Sequence, residues 1–232
     1  MAIELARYLS DQLARLPKDH PDRKLFETDL ARVAKYNERK NRSRSTETPS
    51  TEAPVFTERT RETLEAAGAL IYDKKGESIE DQLQAGRNFW HVVDVDRVRK
   101  TPSTFGQVAI FPTRHEFFLQ GSFNRSLPKQ LMLAEADAVD LRERLGDERV
   151  DIVIPKVAAD ITDVTFQHLD ATGQRLFGNE FDLLYGRTQM PTTGSVVASV
   201  GYFGADDGPS VHDWFAGSGS PRVGAVRWVV PK

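Results

Sequence analysis

The chain contains no cysteine, and this absence removes several classes of chemistry at once. Without thiols there can be no disulfide, no thiolate zinc site, no iron–sulfur cluster and no cysteine nucleophile. The sequence also lacks an apolar run of about 18 residues, the length that a membrane-spanning helix needs. Its opening segment, MAIELARYLSDQLARL, carries acidic side chains and no apolar stretch, unlike a secretory signal. We therefore expect a cytoplasmic or phage-associated protein with neither a signal peptide nor a transmembrane segment.

The sequence also has no recognisable catalytic motif. The string nearest to the G-x-S-x-G nucleophile elbow is GSGS at 217–220, which lacks the required spacing. GYFG at 201–204 is not a phosphate-binding loop, and the histidines are isolated in sequence. The alternative is an enzyme of unrecognised, hydrolase-like class. Its dispersed active site would place His91, His115 or His212 beside a carboxylate.

Size and charge suggest a domain with an appendage. The chain has 232 residues, 39% of them hydrophobic and 28% charged, as in ordinary globular proteins. The net charge is −3, but residues 1–44 hold 11 basic and 7 acidic side chains, which leaves −7 for the remainder. The simplest interpretation of this basic segment is a solvated helical face, so nucleic-acid binding is not the expected role. A nucleic-acid-associated protein that uses the basic arm is a further alternative.

The N-terminal segment predicts a helical hairpin arm over residues 1–40. Leucines recur at helical spacing within residues 2–16, prolines then break the chain, and a second amphipathic helix follows over 22–40. A pair this small buries little apolar surface, so we expect it to need a partner surface, either the main domain or a second copy of the arm. Residues 41–54 are almost entirely polar and predict a flexible linker.

The main domain, residues 55–232, is predicted to be α+β, with helices first and a loop-rich antiparallel sheet at the C-terminus. Thr57 predicts a helix N-cap, and Ser78 with Asp81 resembles a capping box. A long helix is expected from Ser126 to Leu145, and VDIVI at 150–154 predicts a central strand. Another helix is predicted to begin at Asp160. Beyond Gly178 the sequence predicts strands over 196–203, 211–215 and 223–230, separated by turn residues.

Aromatic side chains provide the main functional signal in this domain. Trp90, Trp214 and Trp228 each lie in a β-prone stretch, and Tyr185 and Tyr202 accompany them towards the C-terminus. Core packing is the commoner role for aromatic residues in strands, and a ligand surface on the connecting loops is the alternative.

Three carboxylates near one turn, at positions 206, 207 and 213, raise the question of calcium. The EF-hand spacing is absent, and aspartate is common in turns for its own local reasons. We therefore predict no cofactor, with calcium as the alternative.

Two short stretches carry a resemblance to a known family. Residues 111–117 read FPTRHEF, and the tail runs from LYGRT at 184–188 to VGAVRWVV at 223–230. The first stretch is similar to the L-P-T-x-x-E-W segment of bacterial and phage C-type-lectin-like domains, in the branch related to formylglycine-generating enzymes. The second resembles the closing V-R-x-V strand of that family. The resemblance implies a scaffold whose variable loops bind proteins or sugars. It does not carry over oxidase activity, which depends on cysteine.

We therefore predict a non-catalytic ligand-binding or assembly protein. It would present the loops around 185–195, 204–220 and 221–224 to a protein or carbohydrate partner, while the arm mediates self-association. The candidate binding residues are Tyr185, Arg187, Tyr202, Asp206, Asp207, His212, Asp213, Trp214 and Arg222.

Overall fold

The computed structural model describes Glu27 and residues 53–177, 183–204 and 208–232. Residues 53–232 form one compact unit. The predicted hairpin arm over 1–40 and most of the predicted linker lie outside the described residues. In the part of the chain that is described, no helix has both the length and the apolar character that crossing a membrane requires.

The fold is α+β, as predicted. The described residues contain six helices: α1 (Glu58–Ala66), α2 (Ile79–Gln84), α3 (Asp96–Lys100), α4 (Arg114–Phe117), α5 (Leu127–Leu145) and α6 (Ala158–Thr172). The strands are β1 (Leu70–Lys74), β2 (His91–Val92), β3 (Gly106–Ile110), β4 (Val150–Val153), β5 (Tyr185–Pro191), β6 (Val196–Phe203), β7 (Pro209–Phe215), β8 (Val223–Gly224) and β9 (Trp228–Pro231).

Local signals at the helix ends are confirmed. The Thr57 side chain accepts a hydrogen bond from the Thr60 amide at the start of α1. Ser78 and Asp81 form a reciprocal capping box that starts α2. The chain leaves α5 through Gly146, whose left-handed conformation (φ +60°) favours glycine.

Four strands form sheet A, in the order β1-β3-β9-β4 with every neighbouring pair antiparallel. The prediction of a central strand at 150–154 is wrong, because β4 lies at the edge of this sheet. The two interior positions belong to β3 and β9. Strand β9 pairs with β3 through Ala109 and Val229 and with β4 over its whole length. Buried side chains lie on both faces of sheet A, in two separate hydrophobic clusters.

Five strands form sheet B, in the order β2-β7-β6-β5-β8. The β7–β6 and β6–β5 pairs are antiparallel, whereas the two short edge strands pair in parallel with their neighbours. The expected loops around 185–195, 204–220 and 221–224 are therefore partly wrong: β5 and β8 are paired strands, and β7 lies inside the second range. The sequence of β5 misleads because Gly186 and Pro191 are usually turn residues. Here a side chain at Gly186 would meet Val226, so the glycine permits close packing.

Helix α6 lies at the centre of the larger hydrophobic core. It packs against β1 of sheet A and against β5, β6 and β7 of sheet B. A second core lies on the other face of sheet A and includes buried residues of α1, α5, β4 and β9. The stretches that carry the family resemblance are part of this framework, since Phe117 and Trp228 are both buried in the larger core.

Candidate functional site

Strand alternation divides sheet B into two faces with different chemistry. On β7, Val211 points into the core beneath α6, whereas His212 and Trp214 point to the opposite side and are half-buried. The register places Tyr185, opposite Gly201, on that same outer side. The outer side therefore collects aromatic rings from strands that are far apart in the sequence.

A β-bulge in β6 adds one more ring. The pairing of β6 with β7 shifts between Gly201 and Phe203, and Tyr202 between them adopts a positive φ of 39°. A bulge changes the side on which a residue points, and here the Tyr202 ring meets Trp90 instead of the core, with centroids 5.3 Å apart. Gly201 is required beside it, because a Cβ there would lie 2.0 Å from the Leu184 carbonyl oxygen.

The rings form one continuous surface, which we call the aromatic face; its members are Trp90, His91, Tyr185, Tyr202, His212 and Trp214. The imidazoles of His91 and His212 are stacked, with centroids 4.5 Å apart and planes at 22°. Tyr185 contacts His212 edge-on at 5.5 Å and lies 6.3 Å from Trp214. Trp90 completes the surface, 6.2 Å from His212.

Exposure varies across the aromatic face. The Trp90 side is open to solvent, with 54% of this residue exposed, and His91 beside it is exposed too. Tyr185 forms the floor with only 7% exposed. Exposed tryptophan on a folded domain is uncommon, because its large ring normally buries most of its area.

The electrostatic surroundings keep the floor of the aromatic face uncharged. Burial, together with the neighbouring His91, lowers the pKa of His212 against the opposing effect of Asp213. Burial also raises the pKa of Tyr185, with the Ser210 hydroxyl and the Arg222 charge acting in the other direction. Arg222 is exposed, and its carbonyl accepts the Tyr185 amide hydrogen at 2.8 Å, so a cation lies at the edge of these rings.

Of the predicted binding residues, Tyr185, Tyr202, His212 and Trp214 come together, and Arg222 lies beside them. Asp213 is exposed but points to the opposite side of β7, where the Thr192 hydroxyl reaches it at 3.5 Å. Asp206 and Asp207 lie outside the described residues.

Arg187 does not belong to the aromatic face, because it is buried with 0% exposed. Its guanidinium donates hydrogen bonds to the carbonyls of Phe215, Ala216 and Ser218 at 3.1, 3.2 and 2.9 Å. The residue thereby holds the turn after β7 in place. Strand register puts Arg187 on the same side of sheet B as Tyr185 and His212, but its side chain is covered there. Nothing near it in the sequence indicated this burial.

Trp90 and His91 were absent from the predicted binding set and belong at its centre. They reach the aromatic face because β2 pairs in parallel with β7, with His91 opposite Ser210. The only local signal was a tryptophan in a β-prone stretch. Nothing near it in the chain indicates a strand partner about 120 residues later.

The dispersed active site and the metal site considered from the sequence both require polar side chains that come together. Among the described residues, no three histidine, aspartate or glutamate side chains converge as metal ligands. His91 and His212 do meet, but in the described part of the chain neither forms a hydrogen bond with a carboxylate, and His115 is exposed on α4. The prediction of no cofactor, with calcium as its alternative, stays a prediction, because two of the three carboxylates are not described.

Comparison of the chain with known protein families, curated proteins and solved structures gives no match.

Proposed function

We propose that this chain is a non-catalytic binding protein whose aromatic face receives a protein or carbohydrate ligand. The observation that carries the proposal is the continuity of six rings on the outer side of sheet B, from the buried floor at Tyr185 to the open edge at Trp90. Strand pairing holds these rings in place, so little ordering is needed when a ligand binds.

The residue types support binding. Tryptophan, tyrosine and arginine are the side chains most enriched where binding energy concentrates, and the aromatic face combines them at Trp90, Tyr202 and Arg222. Leaving Trp90 half in water forgoes the free energy that its burial would supply. A ligand that covers this ring would recover that free energy.

The chemistry of the surface suits a ligand with both apolar and polar edges. The rings are tilted against one another, with Trp90 and Tyr202 at 68° and Tyr185 and His212 at 84°. The aromatic face therefore offers both ring faces and polar tips. A sugar ring or a protein side chain can contact the ring faces with its apolar part and the polar tips with its polar part. The resemblance to C-type-lectin-like domains supports the same two ligand classes.

The test uses two libraries, an immobilised glycan array and phage-displayed random peptides, with the full-length protein. The best ligand from either is then titrated against Trp90→Ala and Phe215→Ala. We expect Trp90→Ala to weaken binding at least about tenfold, because the exposed ring is a contact. Phe215→Ala is the matched control, since this residue is 58% exposed on β7 but points away from the aromatic face. Equal affinity of Trp90→Ala and the unmodified protein would contradict the proposal.

We also propose that the arm over residues 1–40 mediates self-association. Its leucines recur at a spacing that predicts one side of a short helix, and such a helix would not bury them alone. Light scattering after size exclusion should give an oligomer for the whole chain and a monomer for Leu9→Glu/Leu13→Glu. A monomer in both cases would contradict this role.

The lack of cysteine supports a cytoplasmic or phage-associated place of action.

A further inference from the structure

Two imidazoles from distant parts of the chain meet at the aromatic face. His91 belongs to β2 and His212 to β7, and the parallel pairing of these strands places both on one side of sheet B. Their rings are nearly parallel, with centroids 4.5 Å apart. The pairing of β2 with β7, and of β7 with β6 on its other side, fixes the spacing of the two Cα atoms, so the pair is held together without a ligand.

The ring nitrogens of this pair are available. Among the described residues neither imidazole has a hydrogen-bond partner. His168 on α6 differs in this respect, because its Nδ1 atom lies 2.7 Å from the Tyr72 hydroxyl oxygen. His91 is exposed and His212 is half-buried, so solvent reaches the pair from the His91 side. A neutral imidazole with a free nitrogen is among the commonest metal ligands in proteins.

The spacing is close to what one ion requires. Two nitrogens that each bind zinc at about 2.0–2.1 Å can be at most about 4.2 Å apart. The ring centroids are 4.5 Å apart and the planes are nearly parallel, so the in-plane lone pairs do not converge in this stacked arrangement. Binding of one ion therefore requires the exposed His91 ring to turn until one nitrogen of each ring faces a common point.

We propose that His91 and His212 form a two-histidine site for a late first-row divalent ion, namely Zn²⁺, Cu²⁺ or Ni²⁺. Imidazole ligands favour these ions over Ca²⁺ and Mg²⁺, which prefer oxygen. Two protein ligands leave coordination positions for water or for a group of an external ligand. The proposal does not rest on the ligand-binding role of the aromatic face, because the ion needs only the two imidazoles.

The test is titration of the full-length, untagged protein with ZnCl₂ in a calorimeter. We expect one saturable site that weakens at least about tenfold in His91→Ala and in His212→Gln, because each removes one of two ligands. His115→Ala is the matched control, as another exposed histidine that is not part of the pair, and it should bind like the unmodified protein. Thermal unfolding without metal shows whether each variant is folded.

Fluorescence provides an independent location for the ion. Trp90 lies 6.5 Å from His91 and 6.2 Å from His212, so bound Cu²⁺ should quench its emission. The quenched fraction should fall in Trp90→Phe while zinc affinity is unchanged. Unaltered zinc affinity in folded His91→Ala and His212→Gln, no saturable site in the unmodified protein, or loss of binding in His115→Ala would each overturn the proposal.

Discussion

Arg187 is a buried cation with no carboxylate partner among the described residues. Burial lowers its pKa to about 10, so the side chain still carries its charge at neutral pH. Its stabilisation comes from three backbone carbonyls in the turn after β7, reached by two nitrogens of one guanidinium. Lysine cannot reproduce this arrangement, because a single ammonium group cannot span those acceptors in one plane.

We expect Arg187→Lys to lower the free energy of unfolding by about 2–4 kcal/mol, since hydrogen bonds to a charged donor are lost inside the domain. Urea denaturation measures this change. Arg222→Ala, a substitution of an exposed arginine near the same sheet, should stay within about 0.5 kcal/mol. Similar losses in the two variants would argue that Arg187 has no special role.

His168 makes stability depend on pH. The residue is buried, its Nδ1 atom lies 2.7 Å from the Tyr72 hydroxyl, and burial lowers its pKa from 6.5. Burial also raises the pKa of Tyr72 to about 12, so the phenol stays protonated. The unfolded chain therefore takes up a proton at a higher pH than the folded chain does. Stability from this group is present above about pH 6.5 and is lost as the pH falls below it.

The expected result is a free energy of unfolding that declines more steeply below pH 6.5 in the unmodified protein than in His168→Gln. Glutamine can still meet the Tyr72 hydroxyl but does not titrate, so it isolates the proton-linked part. Chemical denaturation at a series of pH values provides both curves. Parallel curves would show that His168 has the same pKa in the folded and unfolded chain.

At the scale of elements, the first turns of α6 join two connections. The Asp163 carboxylate accepts hydrogen bonds from the Lys75 amide at 2.7 Å and the Ser103 hydroxyl at 2.9 Å. Asp160 accepts the Thr104 amide at 2.7 Å and lies near Lys74. The β1–α2 and α3–β3 connections are thus tied to the helix between the two sheets.

We predict that Asp163→Ala destabilises the domain by about 2–4 kcal/mol, because it leaves buried donors without acceptors. The matched control is Asp170→Ala on the same helix. Asp170 pairs with Arg87 at the surface, with 47% of its side chain exposed, so its loss should cost less than about 1 kcal/mol. Urea denaturation gives the two unfolding midpoints, and we expect the lower midpoint for Asp163→Ala. A larger loss of unfolding free energy in Asp170→Ala would contradict the prediction.

At the scale of the whole molecule, the two hydrophobic cores share strands. Neighbouring residues of β9 point in opposite directions, with Trp228 in the larger core and Val229 in the second. The two cores therefore lie on the two faces of sheet A, and neither can be lost while that sheet stays intact. We expect residues 53–232 to unfold in one cooperative transition.

Leu141→Ala on α5 tests this coupling, because Leu141 is buried in the second core while the reporter Trp228 lies in the larger one. The substitution should cost about 2–5 kcal/mol and shift the tryptophan fluorescence and circular dichroism transitions together. Val139→Ala on the exposed side of α5 is the control and should shift neither. Separate fluorescence and dichroism transitions would show that the cores unfold independently.

Features that depend on neighbouring residues were predictable from the sequence. Thr57, the Ser78–Asp81 pair and Gly146 act within one helical turn, so their side chains indicate the ends of helices directly. The α+β class follows from the order of such segments. The absence of cysteine is a property of the sequence alone.

The candidate site was predictable only in part. Tyr185, Tyr202, His212 and Trp214 were singled out as aromatic residues among turns, but their common surface results from strand register and a bulge. Arg187, also singled out, proved to be buried. Residue type indicates what a side chain can do, whereas its direction depends on the partner strand.

The sequence by itself determined the N-terminal caps of α1 and α2, the glycine exit of α5, the mixed α+β class and the chemistry that a cysteine-free chain excludes. Only the tertiary structure decided that β9 occupies the interior of sheet A and that β2 joins β7, bringing Trp90 and His91 to the other rings. The physical reason is the distance along the chain over which each kind of interaction acts. A helix cap is satisfied within a few residues, but a strand's hydrogen bonds go to a partner that any distant segment can supply, and that choice is made by the packing of the whole domain.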